Sequence, residues 1–215
     1  MIRGVIFDLD GVLLTTDELH YQAWKQMADQ EGIYFDRTIN HRLRGVSRME
    51  SLEILLERAS RAYTPEEKSA LASCKNHLYR ELLQTLTTAD VLPGVQALLA
   101  ELRRRGIRVA VASSSKNAPL ILSRVGLEGA FDAVANGNDI IHSKPHPEVF
   151  LLAAQRLGLL PGECLVVEDA AAGIEAGRRA GMAVFGIGTP ETLPNVERLA
   201  ASLADTTAEG LLGAG

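Results

Sequence analysis

Cysteine, a surplus of basic charge and long apolar runs are all scarce in this chain, and each scarcity excludes something. The two cysteines among 215 residues, Cys74 and Cys164, lie far apart and match no metal-ligand spacing. They build no disulfide framework, so both are expected to be reduced packing residues of a cytoplasmic protein. Basic residues number 22 against 27 acidic ones, a formal charge of −5. That balance offers no general attraction to nucleic acid or to an anionic membrane, and neither is an expected partner. A phosphorylated ligand would need a local cluster of basic residues. No apolar run approaches the roughly 18 residues of a membrane span. Met1-Ile2-Arg3-Gly4 runs straight into an apolar stretch, without the charged, apolar and cleavage-site regions of a signal peptide. The length suits one sizeable domain, or one core with a small insert.

What is present is organised around Val5-Ile6-Phe7-Asp8-Leu9-Asp10-Gly11-Val12. Three strand-favouring residues lead into one aspartate, and a second follows two positions later. Residues two apart share a side of an extended chain, so Asp8 and Asp10 are expected to project together from a strand end. Carboxylates held that close repel unless a cation lies between them or one is protonated. Magnesium, a hard cation that prefers oxygen ligands, fits. With a phosphoryl group on the same metal, one carboxylate is placed to attack phosphorus and the other to move protons. An ordinary polar turn after a strand is the competing reading, since Asp and Gly are common in turns.

Helical spacing dominates the next segment. Leu19, Ala23, Trp24, Met27 and Ala28 predict a helix near 17–31, ended by Gly32. A polar break at Asp36-Arg37-Thr38 and a short piece carrying Leu43 precede Gly45-Val46-Ser47-Arg48, which opens a helix faced by Leu52, Leu55 and Leu56. Thr64-Pro65-Glu66-Glu67 is a capping box with proline at the first helical position. The stripe Leu71, Cys74, Leu78, Leu82 and Leu86 then predicts a helix of about six turns. Beyond Val91-Leu92-Pro93-Gly94 the pattern changes to alternating helices and strands, with strands at 107–112, 131–135, 165–167 and 183–187 and helices near 117–125, 147–158 and 172–180. That alternation implies an α/β fold, a doubly wound, Rossmann-like parallel sheet. The first strand belongs to it by type, so 16–87 reads as an all-helical cap inserted into a core of 1–15 and 88–215. The Ala/Leu/Gly-rich tail after about 199 carries no clear signal.

Ligands of open parallel sheets bind beyond the carboxyl ends of the strands. Three strands end in chemically capable residues: Asp8 with Asp10, Ser113, and Glu168 with Asp169. Lys144 lies in a connecting loop before Pro145. Together they supply a nucleophile, a proton carrier, a hydroxyl, a fixed positive charge and metal-binding carboxylates, the parts of a phosphoryl-transfer site. Taken singly, Lys144 reads as a solvated loop lysine, Ser113 as a helix cap and Glu168-Asp169 as an exposed turn.

Asp8-x-Asp10, Ser113, Lys144 and Glu168-Asp169 resemble the four motifs of the haloacid dehalogenase-type phosphotransferases. Along nearly its whole length the chain is similar to the sugar-phosphate mutases of that family. The match runs through Phe7 to Val12, His20 with Ala23-Trp24-Lys25, Gly45-Val46-Ser47-Arg48, Lys75-Asn76, Ala89-Asp90-Val91, Ala112 to Asn117, Ser143-Lys144-Pro145, and Glu168-Asp169 with Ala172-Gly173-Ile174. The resemblance implies that Asp8 forms an aspartyl phosphate, and that Asp10 is general acid and base with its carbonyl on Mg2+. Asp8, Glu168 and Asp169 complete the implied metal site. Ser113 and Lys144 hold the transferring phosphoryl group. Arg48, Ser115, Lys116 and Asn117 hold the other phosphate of a bisphosphate, a role suited to arginine's bidentate geometry. Gly11, Trp24, Gly45 and Ser114 are counted with the substrate-binding positions, and Thr16, His20, Lys75 and Asn76 with the junction of cap and core. A monomer that interconverts beta-D-glucose 1-phosphate and D-glucose 6-phosphate through glucose 1,6-bisphosphate is the implied activity.

A magnesium-dependent sugar-phosphate phosphatase, giving the phosphoryl group to water, is the alternative within the family. A non-catalytic, phosphate-dependent binding module is the alternative outside it, and leaves the helical insert without a use. Two departures from the family pattern stand out. Thr15 occupies a position where an acid is common, and the loop from Asn136 to His146 carries His142 and His146 where smaller residues are usual.

Overall fold

A computed structural model describes residues 1–43 and 46–213. Among these residues six parallel strands form one sheet in the order β3-β2-β1-β4-β5-β6. The strands are β1 (Gly4–Phe7), β2 (Arg108–Ala112), β3 (Ala133–Ala135), β4 (Cys164–Glu168), β5 (Ala183–Ile187) and β6 (Leu199–Ala200). The chain leaves β1 in the middle, winds outward on one side to β3, then crosses back to β4 and winds outward on the other, which is the doubly wound topology. The central strands are buried on both faces, which explains their uninterrupted apolar composition. Ile6, Ala110, Ala112 and Val166 pack against Val149, Phe150 and Ala153 of α7 (Glu148–Leu157) and Ala176 of α8 (Ala171–Arg179).

Cα packing divides the chain into two compact units, Met1–Thr15 with Thr87–Gly215, and Thr16–Leu86. The helical unit, inserted after β1, contains α1 (Asp17–Gln30), α2 (Arg37–His41), α3 (Arg48–Leu56) and α4 (Pro65–Leu82). Its core is built from Trp24, Met27, Ile33, Phe35, Leu52 and Leu55. Both α3 and α4 begin with complete capping boxes, Ser47 with Glu50 and Thr64 with Glu67. Gly45 lies outside the described residues.

Several details differ from the sequence reading. The segment 36–38, taken as a break, is instead the start of α2, because the Asp36 carboxylate caps it by accepting from Ile39 N–H at 2.8 Å. Helix α4 stops at Leu82 and continues as a 3₁₀ turn over Leu83–Thr85. Its fully buried residues are Ala72, Lys75 and Tyr79, with Leu83 beyond it; of the predicted stripe, Leu71 and Leu78 pack half-buried against the core of this unit and Leu86 is buried, while Cys74 lies off that face. Cys74 is therefore exposed and is not a packing residue, whereas Cys164 is buried as expected. The short edge strand β6 emerges from the tail that carried no clear signal. No helix among the described residues is long and apolar enough to cross a membrane.

Candidate active site

The register of the sheet assembles the site. Phe7 pairs with Val111 of β2 and with Val167 of β4. The next residues along these strands, Asp8, Ala112 and Glu168, thus reach the carboxyl edge at one level. Asp8 N–H donates to Val167 carbonyl at 2.9 Å, which extends the ladder to the aspartate itself. Strand order reverses around β1 and β4, the place where open sheets leave a crevice.

Lys144 closes the centre. Its Nζ donates to Asp8 Oδ1, to Glu168 Oε1 at 2.5 Å and to the Ala112 carbonyl at 3.1 Å, and the side chain is only 4% exposed. The reading of Lys144 as a solvated loop lysine is thereby overturned. Burial pushes its pKa down, but Asp8 and Glu168 together outweigh burial and raise it. Burial is also the main cause of the raised pKa of Glu168; Lys144 opposes it and Asp8 adds to it.

Asp8, Glu168 and Asp169 bring one carboxylate oxygen each to within 4.8 Å of one another. With the three acids ionised against one lysine, the cluster carries a net charge of −2, the charge a divalent cation balances. Hard oxygen donors of this kind suit Mg2+. Two glycines make room for the acids. A Cβ on Gly11, whose φ is +86°, would lie 2.1 Å from Asp169 Oδ2, and one on Gly173 would lie 1.8 Å from Glu168 Oε1. Gly173→Ala is therefore expected to displace Glu168 and weaken magnesium binding by roughly 10- to 100-fold. A magnesium titration checks this, and unchanged affinity would show that Glu168 has no part in the metal site.

The remaining core positions lie nearby in the chain. Asp10 and Gly11 occupy the turn after β1, where Gly11 N–H donates to Leu14 carbonyl at 2.7 Å. Ser113 is buried just beyond β2, and its hydroxyl accepts from Ser115 N–H at 3.1 Å; the Ser115 hydroxyl accepts from Asn117 N–H at 3.1 Å. These nested turns lead into α6 (Ala118–Arg124) with Lys116 exposed and Asn117 buried. Ser114 Oγ is 3.5 Å from Lys144 N.

The helical unit collects a second group. His20 Nδ1 lies 2.8 Å from Lys75 Nζ. An ammonium can only donate, so this nitrogen accepts and a neutral imidazole carries its proton on Nε2. Burial, followed by the charges of Lys75 and Arg48, holds the His20 pKa well below the usual histidine range. The His20 ring stacks on Tyr79 with centroids 4.0 Å apart, and Lys75 Nζ sits 4.8 Å from the Trp24 ring centroid. Tyr79 donates to Thr16 Oγ1 at 2.9 Å. Asn76 is half-buried beside Lys75 in sequence. Arg48, also half-buried, is the first residue of α3, where a cation opposes the helix dipole. Its placement is not explained by helix stability. Tyr79, which stacks on His20, belongs to no sequence motif; its i+4 spacing from Lys75 is the signal that places it on the same helix face.

The chain matches the family model for haloacid dehalogenase-like hydrolases over residues 2–181. It is 42% identical over 210 residues to a beta-phosphoglucomutase of Bacillus subtilis, covering 97% of this chain and 93% of that protein. It is 36% identical over 179 residues to a fructose-1-phosphate phosphatase of Escherichia coli, covering 83% and 93%. The crystal structure of beta-phosphoglucomutase from Clostridium difficile superposes with a TM-score of 0.92 at 38% identity, covering 97% of this chain and 95% of that one. Sheet order, inserted helices and likeness over nearly the full length agree, and the chain belongs to the haloacid dehalogenase-like hydrolases, as an enzyme of the sugar-phosphate phosphotransferase and phosphatase group.

Proposed function

We propose that the protein is a phosphomutase interconverting beta-D-glucose 1-phosphate and D-glucose 6-phosphate through glucose 1,6-bisphosphate. The observation that carries this reading is the second cationic group: Arg48 and Lys75 flank a neutral His20 in the helical unit, in addition to Lys144 in the core. A phosphatase handles one phosphate, whereas a bisphosphate intermediate presents two. In this reading Arg48, with Ser115, Lys116 and Asn117, binds the phosphate that is not reacting.

Asp8 carries the phosphoryl group as an aspartyl phosphate. When glucose 1-phosphate binds, its 6-hydroxyl oxygen attacks that phosphorus, and Asp10 takes the hydroxyl proton as the bond to Asp8 breaks. The bisphosphate then turns over, and Asp8 attacks the phosphorus on O1. Asp10 returns its proton to O1 as that bond breaks, so glucose 6-phosphate leaves and both aspartates end as they began. Ser113 and Lys144 hold the moving group in line. Enzymes of this family typically use magnesium, and Asp8, Asp10, Glu168 and Asp169 would hold it. When bound, it offsets the negative charge of phosphate and carboxylate oxygens.

The 36% identity to a fructose-1-phosphate phosphatase favours a second reading, hydrolysis of a sugar phosphate at the same centre. One assay separates the two. Protein, magnesium, beta-glucose 1-phosphate and a trace of glucose 1,6-bisphosphate are mixed, and glucose 6-phosphate and free phosphate are both followed. Bisphosphate-stimulated glucose 6-phosphate without matching phosphate release is the mutase result; phosphate released at every turnover overturns it. Within the mutase reading, Arg48→Ala is expected to lower kcat/KM for isomerisation by roughly 30- to several-thousand-fold, about 2–5 kcal/mol. Hydrolysis of acetyl phosphate, which has no second phosphate, should be nearly unaffected. A parallel fall in both activities would make Arg48 structural.

A further inference from the structure

The loop that carries Lys144 inward also presents a cluster of different chemistry outward. His142 and His146 are exposed, Glu148 is half-buried, and one ligand atom from each lies within 4.8 Å of the others. The imidazole centroids are 4.6 Å apart. Glu148 is held rigidly: Oε1 accepts from Ile141 N–H at 2.9 Å, and Oε2 accepts from His142 N–H at 2.9 Å and lies 3.0 Å from His142 Nδ1. The two backbone donors keep its carboxyl below the usual range, so it stands ionised. Glu148 N–H approaches His146 Nδ1 at 3.3 Å, a long contact that a ligand can replace.

We propose that His142, His146 and Glu148 form a second divalent-metal site, of the zinc class, separate from the carboxylate centre. Two imidazoles and one carboxylate are borderline donors suited to Zn2+, with water completing a tetrahedron; Mg2+ prefers oxygen ligands and competes poorly for imidazole. Bonds of about 2.0–2.2 Å require ligand atoms about 3.3–3.5 Å apart. Glu148 Oε2 lies 3.0 Å from His142 Nδ1 and 3.8 Å from His146 Nδ1, on either side of that spacing, and rotation of the exposed imidazoles adjusts both while Glu148 stays fixed. The two histidines bracket Ser143-Lys144-Pro145. Occupancy therefore pins both ends of the segment from which Lys144 reaches Asp8 and Glu168, coupling a transition metal to the phosphoryl-transfer centre.

The test is zinc binding by the whole protein in excess magnesium, which saturates the carboxylate centre. Zinc is measured by competition with a chromophoric chelator, and cobalt(II) is added in its place to report geometry through its visible d–d bands. One zinc per chain is expected, with affinity lowered by roughly 10- to 100-fold or more in His142→Ala/His146→Ala. Tetrahedral cobalt bands should appear in the unmodified protein and vanish in that variant. Both substitutions are on exposed side chains, and circular dichroism with magnesium-supported activity shows that the fold is retained. Equal zinc affinity in the two proteins, displacement of zinc by magnesium, or no zinc bound at all would each overturn the proposal.

Discussion

Asp8→Asn is expected to lower turnover at least about 10,000-fold, more than about 5 kcal/mol of transition-state stabilisation, while leaving the core folded. An amide has no anionic oxygen with which to attack phosphorus, so the proposed aspartyl-phosphate step would have no nucleophile. The fold has less reason to suffer. Asparagine keeps the size of the side chain and keeps Oδ1 as an acceptor for Lys144 Nζ. The buried trio of Asp8, Glu168 and Lys144 would go from a net charge of −1 to neutral, which removes a repulsion from Glu168. Turnover of glucose 1-phosphate and of acetyl phosphate should both disappear, along with any phosphate-sized mass increment on the protein. The preparation must be checked for deamidation, since restored aspartate mimics residual activity. More than a few per cent of the original rate in a clean sample would rule out the covalent route.

The parts of the molecule legible in its sequence are those where one physical rule acts alone. Central strands covered on both faces must be apolar throughout, so Val5 to Phe7, Val109 to Val111 and Leu165 to Val167 announce themselves. Open parallel sheets bind ligands beyond the carboxyl ends of their strands, so Asp8, Ser113 and Glu168 group together by sequence alone. The capping box at Thr64 marks a helix start because the backbone donors there have few other partners. Legibility fails where pairing overrides hydrophobicity. The leucine stripe of α4 is only part of its inward side: Leu71 and Leu78 pack against the core of the helical unit, but Lys75 and Tyr79 enter the interior as well, with polar partners in His20 and Thr16. Lys144 taken singly misleads for the same reason: a lone loop lysine reads as solvated, and only its grouping with Asp8, Ser113 and Glu168 points inward, where carboxylates at the ends of the neighbouring strands β1 and β4 receive it. The edge strand β6 is half-buried and only two residues long, too short for any periodicity to register.

Lys144→Met is expected to destabilise the metal-free protein by about 3–5 kcal/mol at neutral pH, the cost of leaving a buried charge unpaired. Methionine fills most of the space of the lysine stem, and its extra apolar burial offsets only about 1 kcal/mol of that loss. What remains is the Asp8 and Glu168 carboxylates and the Ala112 carbonyl without their shared donor. The pH dependence follows from the shifts already present. Lys144 is raised above the usual lysine range, so in the unmodified protein its stabilisation is complete below that range and fades only in strong alkali. Glu168 is raised by burial and by Asp8 against the opposing charge of Lys144, and removing that charge raises it further. A carboxyl with a raised folded-state pKa takes up a proton more readily folded than unfolded. Its penalty is present above the folded pKa and is relieved as pH falls through it toward the ordinary carboxylate range. The stability gap between the two proteins should accordingly narrow from about pH 8 to about pH 5. Magnesium should narrow it as well, because the cation replaces the missing ammonium and so binds the variant more tightly; at saturation a tenfold tighter Kd narrows the gap by about 1.4 kcal/mol. Phosphoryl transfer should stay low even then, since the cation proposed to hold the moving group is gone. Urea unfolding at both pH values, with and without magnesium, measures every one of these terms. A gap near zero, or one that widens as the pH falls, would mean that Lys144 is not the charge holding these two acids in the core.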